Sequence, residues 1–398
     1  MFRGGQENQQ QMNVAAPEAK RSRVYHTLDA WRGFAAIWVV MIHACIPVIG
    51  TQYPDLAKNP VFAFSLYARL ALSMFFVISG YCIANAAAIA RQKRGPLYYF
   101  VRARVRRVYP PYLIVSLFAV ILSLVMALAV RMGLFRDSVI AQLDFFHHDF
   151  LYYFSSITLT QLLLGQAPML IVFWSLCYEI AFYAIVTLIL WITLRAKDAN
   201  PLFNALHVVT MVCLAWIAVL PVPCPYPLDL WPEFGFGILV YQILAEPGRR
   251  WPKICFGLSV LLVLAYYLIN RDHPFSSRPS PPMRFVFVAG YATILLLLFR
   301  VDEKLSRLPI VRWFAWVGIF SYSIYLTHLL SLGILSQIGK KLGVTEGTYW
   351  VLFIFQVVIS VAAARVFFLF FEKPFLRSRR EPRGVVQVVD SKPAPTTG

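Results

Sequence analysis

A chain of 398 residues that is 59% hydrophobic and 14% charged falls outside the range of soluble domains, in which about a quarter of residues carry charge. Its mean hydropathy of +0.64 indicates an all-α polytopic membrane protein, and the net charge of +18 then belongs to basic loops facing the cytoplasm rather than to a nucleic-acid surface. Six cysteines stand singly with no CxxC pair, so neither a disulfide framework nor a thiolate metal site is indicated.

In chain order, residues 1–27 are polar, carry KRSRVYH at 20–26 and hold no apolar signal-peptide core, which predicts a cytoplasmic tail. Apolar stretches able to cross a core of about 30 Å follow near 28–49, 67–89, 110–130, 170–194, 202–220, 229–245, 254–269, 284–300, 313–337 and 348–371. An eleventh candidate, FLYYFSSITLTQLLLG at 150–165, is short and rich in Ser and Thr. Charge decides whether it crosses. If it does, the basic loops RAKD, EPGRRWPK and RVDEKLSRLPIVR all fall outside, against the positive-inside rule. If it lies on or dips into the outer surface, they fall inside with RQKRGPLYYFVRARVRRVYP. The expectation is therefore a ten-span bundle with both termini cytoplasmic. Residues 28–372 form the membrane domain, and 373–398 a basic, disordered tail.

The opening span, LDAWRGFAAIWVVMIHA, carries Arg32 and His43. About three helical turns separate them, so both leave one face roughly 16 Å apart along the axis. Ionisable groups at such depth usually face a bundle interior or a wet cavity. By helix rise, His43 and His328 each lie roughly 22 Å from the inner end of their spans, and Glu179 roughly 14 Å from the outer end of its own. Taken singly, each histidine is a hydrogen-bonded packing residue and Glu179 the partner of a buried cation such as Arg32. Their clustering suggests a polar track. Arg69 and Arg365, near span ends, read as snorkelling side chains. His147, His148, Asp149 and nearby Asp144 could be drawn as a metal site, but adjacent histidines rarely reach one ion, so no metal is expected. Between 102 and 107 the basic loop uses only arginine (Arg102, Arg104, Arg106, Arg107) ahead of Tyr109. If helical, Arg102 and Arg106 are i,i+4 neighbours, a fork suited to a phosphate-rich cosubstrate.

Six segments, RGFAAIWVVMIH, FFVISGY, RARVRRVYPPY, FWSLCYEIAFY, SYSIYLTH and FFEKPFL, together resemble motifs of the acyltransferase-3 family of bacterial integral-membrane O-acyltransferases. The resemblance spans about 28–376. It places the family's Arg-then-His motif on Arg32 and His43, its spaced arginine pair on Arg102 and Arg106, and its Trp-Ser-Leu…Glu segment on Trp174, Ser175, Leu176 and Glu179. It implies an inner-membrane enzyme moving an acyl group, acetyl in the simplest case, from cytoplasmic acyl-CoA to a hydroxyl of a surface polysaccharide, lipopolysaccharide or related glycan. In that picture Arg102, Arg104, Arg106, Arg107 and Tyr109 hold the CoA nucleotide. His43 is the general base, Glu179 orients it, Arg32 positions the donor, and His328 completes the centre. Ser79, Tyr81, Trp174, Ser175 and Tyr325 contact the substrates. Ser79, beside Gly80, also fits plain helix packing by small residues. A proton-coupled transporter would use the same buried His, Glu and Arg as a relay, but the inverted repeats that favour it are not evident.

Overall fold

The computed structural model describes residues 23–49, 52–133, 148–220, 222–270, 281–376 and 385–386. The chain opens with α1 (Leu28–Ala44), the single turn α2 (Ile46–Ile49) and the short α3 (Pro60–Leu66). Then come α4 (Arg69–Arg91) and α5 (Pro96–Arg131), separated by a turn in which Gly95 adopts φ 66°. Beyond α6 (Phe150–Thr158) lie α7 (Trp174–Ile192), α8 (Asn200–Val219), α9 (Trp231–Ala245), α10 (Arg250–Asn270) and α11 (Pro281–Leu298). The last helices are α12 (Asp302–Leu305), α13 (Pro309–Gly318), α14 (Ser321–Lys341) and α15 (Tyr349–Phe367). Residues 23–24 pair antiparallel with 385–386 in a two-residue ladder; most of both tails lies outside the described residues.

Every apolar stretch expected to cross is helical, but fewer meet the length of a full span. Among the described residues six helical segments are long and apolar enough, and α13 with α14, bent by 73° at residues 319–320, makes a seventh. Proline accounts for much of the difference. α1 ends just ahead of Pro47, and α9 is bounded by Pro232 in its first turn and by Pro247 after it, since proline starts helices and disfavours the helical conformation of the residue before it. The arginine-rich stretch taken as a loop is instead the first part of α5, whose 36 residues rise roughly 54 Å, well beyond one hydrocarbon core. The 150–165 segment forms only the nine-residue α6, ended by left-handed Leu159. It docks on α5, with the Tyr109 and Tyr112 hydroxyls donating to the Thr158 and Ser156 carbonyls at 2.9 and 2.6 Å.

Two helix pairs approach backbone to backbone. On α1 and α13, a Cβ added at Gly33 would lie 2.0 Å from the Phe314 carbonyl oxygen, and one at Gly318 would lie 1.7 Å from that of Asp29. On α4 and α9, Gly80 faces the Phe234 carbonyl and Gly237 that of Val77, at 2.0 and 1.9 Å. Such reciprocal glycine contacts draw helices together where apolar burial supplies little drive in lipid. A carboxylate fixes the entry to α1: Asp302 accepts from the Thr27 backbone N–H at 3.0 Å, the Thr27 hydroxyl at 2.6 Å and the His26 N–H.

Gly80→Ala and Gly237→Ala should each destabilise the protein by about 1–3 kcal/mol, as overpacking of a filled contact does. Gly290→Ala, on α11 with open space at its Cβ, should leave thermal unfolding in detergent unchanged or slightly raised.

Candidate active site

The helical period brings together residues far apart in sequence. On α4, Ser79 and Cys82 share a face; on α5, Arg104 and Arg107; on α7, Ser175, Glu179 and Tyr183; on α14, Tyr322 and Tyr325. These spacings of three and four residues each mark one side of a helix. With Arg32 of α1 they enclose a narrow cavity of about 80 Å³.

Within it, the Ser79 hydroxyl donates to Glu179 Oε1 at 3.3 Å, and the Tyr183 hydroxyl donates to the same oxygen. Arg104 lies 5.8 and 6.0 Å from the ring centres of Phe100 and Tyr183, a stacking that guanidinium planes favour. Arg32 is buried, its Nη1 3.5 Å from Asp29 Oδ1. The Tyr325 hydroxyl spends its proton on the Val172 carbonyl, so the Ser175 hydroxyl, 2.5 Å away, donates to Tyr325. Three guanidiniums and one carboxylate line this space, so its lining is rich in positive charge.

A second cavity, of about 600 Å³, adjoins the first. Both are lined by Leu72 and Tyr325, which stand between them. The polar lining of the larger one consists of His43, Arg69, Ser73, Trp174, Arg284 and the shared Tyr325. His43 Nδ1 stands 2.8 Å from the Val39 carbonyl oxygen. A carbonyl only accepts, so Nδ1 carries the proton and Nε2 the lone pair. His328 repeats the arrangement against the Ile324 carbonyl at 3.0 Å. It is fully buried, its ring centre is 4.9 Å from that of His43, and its Nε2 has no partner among the described residues.

A family described as an acyltransferase domain matches residues 25–369, a range that contains both cavities. The chain belongs to the acyltransferase-3 family. It is 23% identical over 337 residues to the peptidoglycan O-acetyltransferase OatA of Listeria monocytogenes, covering 78% of this chain and 51% of that protein. It is 25% identical over 254 residues to the putative acetyltransferase ORF330 of Acidianus two-tailed virus, covering 62% of this chain and 68% of the relative. The acyltransferase-3 chain thus spans about half the length of the Listeria protein. No solved structure matches it.

The remaining candidates of this acyltransferase-3 chain separate into two groups. Arg32, Arg104, Arg107, Glu179, Ser79, Ser175 and Tyr325 meet at the arginine cavity, while His43, Trp174 and Tyr325 meet at the histidine cavity. Arg102 and Arg106, the pair picked out from spacing, lie on the exposed face of α5, where Arg102 donates to the Tyr98 hydroxyl at 2.8 Å. Tyr109 and Tyr81 line neither cavity; Tyr81 is buried with its ring edge-on to Tyr25 and Tyr241. Glu179 lies among the arginines and lines a different cavity from His43. Arg69, read as snorkelling, faces the histidine cavity, and Arg365 stacks on Trp316, Phe320 and Phe368. Sequence reasoning passed over Tyr183 and Tyr322, and also Glu372, a buried carboxylate that accepts from Ser323 at 2.5 Å. It passed over Arg284 with its partner Glu233 as well. A glutamate within the apolar stretch 229–245 was the available signal for that pair. Asp144 and His147 lie outside the described residues, and no group able to hold a metal occurs among those described.

Proposed function

We propose that the chain is a multi-pass enzyme of the bacterial inner membrane that transfers an acetyl group from cytoplasmic acyl-CoA to a hydroxyl of a carbohydrate or glycolipid acceptor, with His43 as general base. The observation that carries this reading is the junction of the two cavities. A guanidinium-lined cavity and a chamber walled by an imidazole adjoin, with Leu72 and Tyr325 lining both. Ten crossings with both ends in the cytoplasm fit the distribution of basic loops, and put the arginine cavity on the cytoplasmic side.

The donor set suits a phosphate-bearing cosubstrate. Arg32, Arg104 and Arg107 offer planar forks matched to phosphate geometry, and Glu179 offsets only part of their charge. Acyl-CoA supplies the thioester carbon. In this reading Arg104 and Arg107 hold the anionic part of the donor, and Arg32 positions the arm directed toward Leu72 and Tyr325. His43 Nε2 removes the acceptor hydroxyl proton as that oxygen bonds to the carbonyl carbon. The C–S bond then breaks and the proton passes to the departing sulfur. The Nδ1–H···O=C bond to Val39 holds the ring and tautomer for this task. General-base catalysis is typically worth 10²–10⁴-fold. Glu179, through Ser79 and Tyr183, organises the arginine cavity. His328 backs the His43 ring, and Trp174 offers an aromatic face to a sugar. The Listeria relative's name, a peptidoglycan O-acetyltransferase, supports acetyl as the group and a glycan as the acceptor.

In membranes supplied with radiolabelled acetyl-CoA, His43→Ala should lower label transfer to envelope glycan by at least about 10²-fold while binding of acetyl-CoA persists; normal turnover would remove His43 from this role. Arg104→Ala combined with Arg107→Ala should raise the donor KM about tenfold or more, the scale of one lost charged contact. Arg102→Ala with Arg106→Ala should leave it unchanged. The reverse pattern would move the donor to the exposed face of α5.

A further inference from the structure

The histidine cavity holds two guanidiniums that the transfer chemistry does not use. Arg69 opens α4 and Arg284 lies in the first turn of α11. Both line the cavity beside His43, and no Asp, Glu, Asn or Gln lines it with them. Arg284 is anchored from behind, where its Nε donates to Glu233 of α9, a carboxylate with no exposure at all. That bond uses one edge of the fork and cross-links α9 to α11. The terminal nitrogens of Arg284, and the whole guanidinium of Arg69, have no hydrogen-bond or ion-pair partner among the described residues. Asp229, the other nearby carboxylate, accepts from the Tyr178 hydroxyl at 2.8 Å and does not line the cavity.

We propose that the acceptor carries an anionic group, a carboxylate or a phosphate, which binds between Arg69 and Arg284 while its hydroxyl faces His43. This rests on the reading that the acceptor enters the histidine cavity, and it adds the acceptor's charge class. A site for a neutral sugar needs acceptors as well as donors, because each hydroxyl both gives and takes a hydrogen bond. Here the two guanidiniums, which only donate, outnumber in N–H groups the acceptors offered by His43 Nε2 and the Ser73 hydroxyl. The volume of about 600 Å³ lies within the range that takes small ligands. A guanidinium pinned on one edge and open on the other is prepared for bidentate capture of a planar or tetrahedral anion. Glu233 balances Arg284, which leaves the charge of Arg69 for a bound anion to meet.

The test uses the full chain in detergent without acyl donor, so that binding is read apart from turnover. Methyl β-glucuronide, glucose 1-phosphate and methyl β-glucoside are titrated by saturation-transfer NMR. At least one anionic sugar should bind tenfold or more tightly than the neutral glucoside, and Arg69→Gln should bring the two together while acetyl-CoA binding is unchanged. The glucuronide and phosphate arms show which anion the site takes. Because Arg284→Gln strands Glu233, Arg284→Lys serves as its folding-safe companion and should weaken the anionic sugar severalfold. Equal binding of charged and neutral sugars, binding of none of the three, or anion preference that survives Arg69→Gln would overturn the proposal. Label transfer from acetyl-CoA in wild-type membranes reports on the enzymatic reading separately. Transfer without anion preference sinks only this inference, and anion preference without transfer sinks only that reading.

Discussion

The close approach of α1 to α13 and of α4 to α9 is the constraint on which the cavities depend. In each pair two glycines meet the other helix's carbonyls, so no side chain separates the backbones. Each of the first-named helices also carries a cavity residue next to its glycine, Arg32 beside Gly33 and Ser79 beside Gly80. One face of the helix is thereby pressed against a neighbour, and the residue before the glycine is turned roughly 100° away from it. The rotation of α1 about its axis is further fixed by Asp302, which ties down the backbone entering its first turn. Arg32 and His43 follow from that rotation at opposite ends of the helix.

Polar groups taken out of water must be matched or they weigh against folding. Around the arginine cavity most of the matching is done by neighbours one helical turn apart or directly across: Tyr183 and Ser79 to Glu179, Ser175 to Tyr325, and Ser323 to Glu372. The arginines are supported differently, Arg104 by the Phe100 and Tyr183 rings and Arg32 by Asp29, with three guanidiniums to one carboxylate in the lining. The arginine cavity is rigid in its hydroxyls and open in its charge. That combination suits an anion that comes and goes.

Much of the architecture was legible because it follows from short-range pattern. Apolar runs became helices near their expected limits, and the Arg32–His43 spacing placed both side chains on a cavity-facing stripe. What pattern could not supply was phase and partner. Four arginines between 102 and 107 wind around α5, and only its packing against α4 and α7 selects 104 and 107 for the interior. Depth along a helix put Glu179 and His43 near one level, yet depth carries no information about which cavity each lines. Arg69 has the sequence signature of a snorkelling residue, at the end of a span, and a cavity happens to reach that end. The count of crossings was blurred by prolines near helix ends and by the bend at 319–320, which length and hydropathy alone do not reveal.

The wall shared by the two cavities bears on how two substrates would be kept apart in the proposed transfer. Tyr325 is held by its donation to Val172 and by the hydroxyl of Ser175, and Leu72 lines both cavities with it. A residue with its only hydroxyl proton committed to a main-chain carbonyl is poorly suited to swing as a gate or to pass protons from one cavity to the other. On this geometry, the proposed transfer needs donor and acceptor to approach Leu72 and Tyr325 from their own sides, with the arginines behind one partner and His43 beside the other.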